Sequence, residues 1–146
     1  MVDNVFLNER SNGTGTGFHY GAQFTNTSAT AYSMNYNDYY TNGAGGVLGI
    51  YGTTSTDTLS EWQTATGQDA NSFNTDPLLV SESDLRPYLG SPVIGAGTPV
   101  AGITTDILGV TRNVTTPTLA LMNKALHCQL FLIQQMLLQQ LLVMHR

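Results

Sequence analysis

Asp76-Pro77-Leu78-Leu79-Val80 is followed by Asp84-Leu85, then by Gly90-Ser91-Pro92-Val93-Ile94-Gly95-Ala96-Gly97 and Thr104-Thr105-Asp106-Ile107-Leu108-Gly109. Short apolar pairs alternate here with proline, glycine and aspartate, residues that break helices and favour bends. The chain is therefore expected to run through this stretch as an extended, irregular ribbon pinned by turns. Such a ribbon indicates an architecture and not a reaction.

Upstream of the ribbon, four strand-like runs recur: Asn4-Val5-Phe6-Leu7-Asn8, residues 18–24, residues 33–40 and Val47-Leu48-Gly49-Ile50-Tyr51. Gly, Asn, Ser or Thr separates each from the next, the pattern of short strands joined by bends. Between these runs and the ribbon lies a helix signal. Thr58-Leu59-Ser60-Glu61 has the form of a capping box, with the Thr58 hydroxyl accepting from the Glu61 amide while the Glu61 carboxylate reaches back. Leu59, Trp62 and Ala65 fall on one face and Gly67 can end the turn in a left-handed conformation, so a short helix is expected over about residues 58–66.

This order of segments resembles the C-terminal end of secreted right-handed parallel β-helix (pectate-lyase-like) repeat proteins of Bacteroidetes type. There the last coil is followed by W-Q-x-A-T-G-Q-D-A-N-S, then D-P-x-F-V, D-L-x, G-S-P-A-I-x-A-G, T-T-D-x-x-G-x-x-R and P-x-I-G-A-x-E. The match runs through Trp62-Gln63-Thr64-Ala65-Thr66-Gly67-Gln68-Asp69-Ala70-Asn71-Ser72, Asp76-Pro77, Ser91-Pro92, Gly95-Ala96-Gly97, Asp106, Gly109 and Arg112. Asn35-Tyr36-Asn37-Asp38-Tyr39-Tyr40 is similar to a last-coil strand, so the resemblance covers residues 1–119.

The resemblance implies a mainly β fold in three parts. Residues 1–57 are expected to form the terminal β-helix coils, about two of them, although stacked repeats generally need several neighbours to bury a continuous core. Residues 58–119 are expected to form a capping helix, laying Leu59 and Trp62 against the apolar end of the last coil, and an extended tail along its outside. A β-helix wall also accounts for the imperfect alternation at Phe6 and Leu7, Tyr20 and Ala22, and Tyr36 and Asp38, because coils stack on both sides of each strand. The function implied is that of a noncatalytic terminal fragment of a secreted or cell-surface protein, a scaffold or adhesion element in contact with polysaccharide or cell-surface glycan. The alternative implied is the remnant of a β-helix polysaccharide lyase or hydrolase whose active site lay upstream. In the family a secretory signal and earlier coils precede this end, whereas the chain itself opens without a charged and apolar leader. Two coils bury little apolar surface, so the isolated chain is expected to be marginally stable.

Composition fits an extracellular β-rich chain, since charged residues make up only 10% of the 146 residues. That length suggests one domain. A net charge of −5 with no Lys/Arg cluster argues against a nucleic-acid partner, which requires a basic footprint. Cys128 is the single cysteine, which excludes an internal disulfide framework and a zinc site of paired cysteines.

Candidate chemistry is sparse. His19 as a general base would need Asp38 or Glu9 within hydrogen-bond reach, and otherwise reads as a surface or stacking residue. His127, Cys128 and His145 make a poor ligand set, because adjacent helical positions diverge and His145 lies several turns on. Gly13-Thr14-Gly15-Thr16-Gly17 lacks the Lys and following helix of a phosphate loop. Asp69, Asp76, Asp84 and Asp106 fall in turns, where each is expected to cap its own following amides; the sharper reading is Ca²⁺ held with backbone carbonyls. A lyase site would bring acids and bases together, yet none of Arg10, Arg86, Arg112, Lys124 and Arg146 stands beside an acidic cluster in the strand region. Phe18, Tyr20, Tyr32, Tyr36, Tyr39, Tyr40 and Tyr51 read as core or ladder aromatics, or as platforms for sugar rings. No catalytic, cofactor-binding or metal-binding residue is assigned, and no cofactor is called for.

Residues 120–146 depart from the family. The expected ending is Gly-Ala-x-Glu, but the chain reads Ala120-Leu121-Met122-Asn123-Lys124. Deleting one G from GGC GCT GAT GAA TAA A, which encodes Gly-Ala-Asp-Glu and a stop, gives GCG CTG ATG AAT AAA, which encodes those residues. The segment therefore reads as a frameshift-derived, Leu- and Gln-rich helix that associates with apolar surfaces, including copies of itself. Gln129, Gln134, Gln135, Gln139 and Gln140 make a membrane span expensive.

Overall fold

In a computed structural model of the chain, residues 1–119 are described, apart from 12–16, 29 and 82. The expectations for residues 120–146 and for the Gly13–Gly17 run, of which only Gly17 is described, lie outside these. The fold is mainly β, with small sheets and one short helix. Strands β1 (Val5–Asn8), β2 (His19–Phe24), β3 (Asp38–Thr41), β4 (Gly46–Tyr51) and β5 (Thr54–Thr56) precede helix α1 (Leu59–Thr66), and β6 (Leu79–Ser81) and β7 (Asp84–Pro87) follow it.

The opening strands pair in parallel. β1 lies on β3 with Val5 opposite Asp38 and Phe6 opposite Tyr39; β2 lies on β4 with His19 opposite Gly46 and Ala22 opposite Gly49. The first pairing joins positions 33 apart and the second positions 27 apart. The connection 9–18 is six residues longer than its counterpart 42–45, which accounts for the difference. Single parallel bridges extend the first ladder, from Val2 to Asn35 and from Asp38 to Phe73. Just after the Val2 and Asn35 bridge positions, Asp3 (φ 60°) and Tyr36 (φ 54°) adopt left-handed conformations, and the Asp3 amide donates to the Tyr36 carbonyl at 3.0 Å. Paired bends thus turn successive layers in the same way. They also explain why the strand expected over residues 33–40 is regular only from Asp38 onward.

Side chains at facing register positions build the core. Phe6 and Tyr39, directly opposite, stack with ring centroids 4.9 Å apart and planes 5° apart. Tyr39, Leu48, Met34, Ala22 and Trp62 are buried together, with Phe24, Tyr32, Tyr51 and Leu59 packed around them. Trp62 has 0% exposure. Its ring seats on β4 because Gly49 has no side chain: a Cβ there would stand 2.6 Å from Trp62 Cζ3.

The tail departs from the expected irregular ribbon at two places, one of them a single antiparallel bridge from Thr105 to Thr111. β6 and β7 form an antiparallel hairpin, with Leu79 opposite Pro87 and Ser81 opposite Asp84. Elsewhere it is an irregular run of turns, pinned as expected. Ser91 Oγ donates to the Pro77 carbonyl, the Leu119 amide to Val93 and the Gly97 amide to Pro117. The tail returns to the first layer at Asp3, whose carboxylate accepts from the Thr98 amide at 2.7 Å and pairs with Arg112 at 3.1 Å, both side chains being buried. Removing one partner of such a pair strands a buried charge and costs about 3–5 kcal/mol.

Gly49→Ala tests the seating of Trp62. The added methyl meets a ring held on several sides, so a loss of about 1–3 kcal/mol is expected in urea denaturation.

Candidate functional site

The site is built around α1, which follows directly on β5. Thr58 Oγ1 accepts from the Glu61 amide at 3.3 Å, and the Glu61 carboxylate accepts from the Thr58 and Asp57 amides at 3.0 and 2.9 Å, a complete capping box. Those two amides hold the exposed Glu61 carboxyl below its usual range. Gly67, at φ 67°, ends the helix with its N–H on the Gln63 carbonyl. β5 folds back antiparallel onto β4, Gly49 opposite Thr56, and so occupies the edge that a further parallel strand would need. Phe73 does the same for β3, its amide donating to Asn37 and its carbonyl accepting from the Tyr39 amide.

Asp69 joins these parts. It is 1% exposed, and each of its carboxylate oxygens holds two donors: Oδ1 accepts from Asn37 Nδ2 (2.9 Å) and Ser72 Oγ (2.6 Å), Oδ2 from Trp62 Nε1 and Tyr39 OH (both 2.9 Å). Four donors fill the accepting capacity of a carboxylate. Burial, and then the Asp69 charge, push the Tyr39 phenol above its usual range, so it remains a donor. Other polar groups of the Trp62–Ser72 run bond either the Tyr32–Asn35 segment or the run itself. Gln68 accepts from the Met34 amide and donates to the Tyr32 carbonyl, Gln63 donates to the Asp69 carbonyl, and the Asn71 amide donates to Asn35 Oδ1.

A polar rung runs from this carboxylate toward the opposite end. With Nδ2 committed to Asp69, Asn37 turns Oδ1 the other way, where it accepts from Asn4 N (3.1 Å) and Asn4 Nδ2 (2.9 Å). The Asn37 amide donates to Ser72 Oγ at 2.8 Å. Asn4 and Asn37 were missed as a site in the sequence. A signal was present, because Asn4-Val5-Phe6 and Asn37-Asp38-Tyr39 repeat Asn-x-aromatic at the pairing distance of β1 and β3.

On the outer side of β3, Asp38 is buried beneath the start of the tail. Its Oδ1 accepts from the Thr75 amide at 3.1 Å while Oδ2 has no partner among the described residues. Burial pushes its carboxyl up from 3.8 to about 7; the Thr75 amide opposes this and the nearby Asp76 charge adds to it. No hydrogen bond joins His19 to Asp38 or Glu9 among the described residues, and His19 Nε2 is buried without a partner.

The four turn aspartates divide. Asp76 caps the Leu78 amide, Asp84 the Arg86 amide, and Asp106 the Leu108 and Val110 amides, as expected of turn residues. Asp69 corrects the expectation: its side chain takes long-range donors in the core, not its own following amides. No group of three or more His, Cys, Asp or Glu gathers among the described residues. Of the aromatics, Tyr39, Tyr32 and Tyr51 pack in or against the core, whereas Phe18 is 65% exposed and tilts against Tyr20. A groove of about 800 Å³ opens between the β4–β5 turn and α1, lined by Thr25, Thr27, Thr53, Thr54, Ser55 and Ser60 among others. No helix among the described residues is long and apolar enough to cross a membrane. Comparison with protein families, curated proteins and solved structures gives no match.

Asp69→Asn places an NH₂ group where two donors now point, so a loss of roughly 2–4 kcal/mol is expected in chemical denaturation, with indole fluorescence reporting the released Trp62. Asp38→Asn is expected to act oppositely. Because the folded carboxyl titrates near 7 and the unfolded one near 3.8, folding takes up a proton between those values, and stability falls as pH rises through 7. The variant should therefore gain about 1–2 kcal/mol at pH 8 and nothing at pH 4, as read by urea midpoints at the two pH values.

Proposed function

We propose that this chain is the closing end of a right-handed parallel β-helix in a secreted or cell-surface protein, a noncatalytic scaffold or adhesion element with glycans as its class of partner. The observation that carries the reading is the asymmetry of the two parallel ladders. At one end α1, β5 and Phe73 cover the stack, while at the other β1 and β2 each present an edge with no strand partner among the described residues. A covered end stops strand addition, and an uncovered parallel edge accepts it. Facing aromatic stacks, paired left-handed bends at Asp3 and Tyr36, and a tail folded back onto the outer side all suit a stack of coils ended by a lid. The groove beside α1 is lined by Thr and Ser hydroxyls together with Tyr51 and Glu61, a set of donors, acceptors and one aromatic ring that suits sugar hydroxyls.

Sequencing the locus on the 5′ side of the Met1 codon tests the reading. The expected result is an open frame encoding further strand-like runs, Asn/Ser-rich, with an Asn-x-aromatic rung recurring at about the 33-residue pairing distance. A frame without such runs overturns it. Paired acidic and basic residues on consecutive coils would replace the scaffold role with a catalytic parent.

A further inference from the structure

Between Pro99 and Pro117 the tail leaves apolar side chains in water. Val100, Ile103 and Val114 are exposed, Val114 at 82%. They line a groove of about 400 Å³, with residues 99–104 on one wall, 111–114 on the other and Pro117 completing the lining. The Arg112 amide donates to the Thr104 carbonyl at 2.9 Å, so the two walls are joined. Arg112 is the one charged residue in the lining, and its guanidinium is already paired with Asp3. A groove of this kind takes an apolar, uncharged occupant.

The chain itself supplies one. The Gly97 amide holds Pro117 and the Val93 carbonyl holds Leu119, so residue 120 starts within about 11 Å of Pro117, the reach of three residues. Residues 120–146 carry Lys124 and Arg146 as their only formal charges and are otherwise dominated by Leu, Gln and Met. We propose that the groove between residues 99–104 and 111–114 is the docking site of the chain's own residues 120–146. Two apolar surfaces left in water each cost free energy, and burying one against the other removes both costs. The tether makes the contact intramolecular, at an effective concentration of roughly millimolar, far above that of a second copy in dilute solution. Such a contact needs apolar area and reach but no selected pairing, so it holds for a segment of frameshift origin as well.

Cys128 is the single cysteine, which allows a cross-linking test in the full chain. Val114→Cys places a second thiol on the groove at a position exposed enough to leave the fold intact, with the emission of buried Trp62 as the check. Treated in dilute solution with a short bis-maleimide, this variant is expected to link residue 114 to Cys128 within one chain. The yield should be about ten times that of Thr53→Cys, which lies in the groove beside α1 and shares no lining with this one. Adding Ile103→Asp, which sets a charge in the groove, should cut the Val114→Cys link several-fold and speed hydrogen exchange of residues 120–146. Equal linking from positions 53 and 114, absence of the 114–128 link, or a yield unmoved by Ile103→Asp overturns the docking. Links that join two chains overturn it in favour of a second copy as the occupant.

Discussion

One buried carboxylate ties the helix and the turn that follows it to the parallel strands. Asp69 takes a donor from the strand layer at Asn37, another at Tyr39, a third from the helix at Trp62 and a fourth from the following turn at Ser72. Taking a charge out of water is expensive, and it is tolerated here because every lone pair meets an N–H or O–H at short range. Those donors come from segments far apart in the chain, so the site is satisfied only when the helix and the strand segment are both in place. The same requirement orients Asn37 and, through it, Asn4.

A second carboxylate plays the corresponding part at the other end of the tail. Asp3 sits at the left-handed bend of the first layer and binds Arg112 and the Thr98 amide, so the last third of the described chain is tied to its third residue. Apolar burial in the tail is modest: Val93 and Leu119 are enclosed, while Ile107, Leu108 and Val114 are exposed. Polar anchors therefore carry much of its placement. Asp38 shows the cost of this arrangement. The tail that covers β3 takes Asp38 out of water while supplying a single amide, and a half-satisfied buried group lowers stability near neutral pH.

The parts legible in the sequence are those written in neighbouring residues. Thr58 and Glu61 announce the helix start, Gly67 its end, and Leu59 with Trp62 its buried face, because each signal acts within two turns of backbone. The strand runs around residues 5, 19 and 47 were likewise visible from composition and flanking bends. The run at 33–40 was read too long, since Tyr36 is left-handed, with its carbonyl accepting from the Asp3 amide 33 positions away. The β6–β7 hairpin was missed because its strands are short and no strong turn pair announces them. Asp69 was read as a turn residue, which its local surroundings justify and its long-range partners overrule.

By itself, then, the sequence determined the mainly β character, the position and caps of the one helix among the described residues, and Trp62 as a residue of that helix's buried face, since each follows from propensity, capping and side-chain polarity over short spans. Only the tertiary structure decided which strands pair and in what register, that Asn4 and Asn37 form one polar rung, and that this rung points toward Asp69. Hydrogen-bond direction across a core is a property of partners more than 30 positions apart, set by where an acceptor-only group ends the chain of donors.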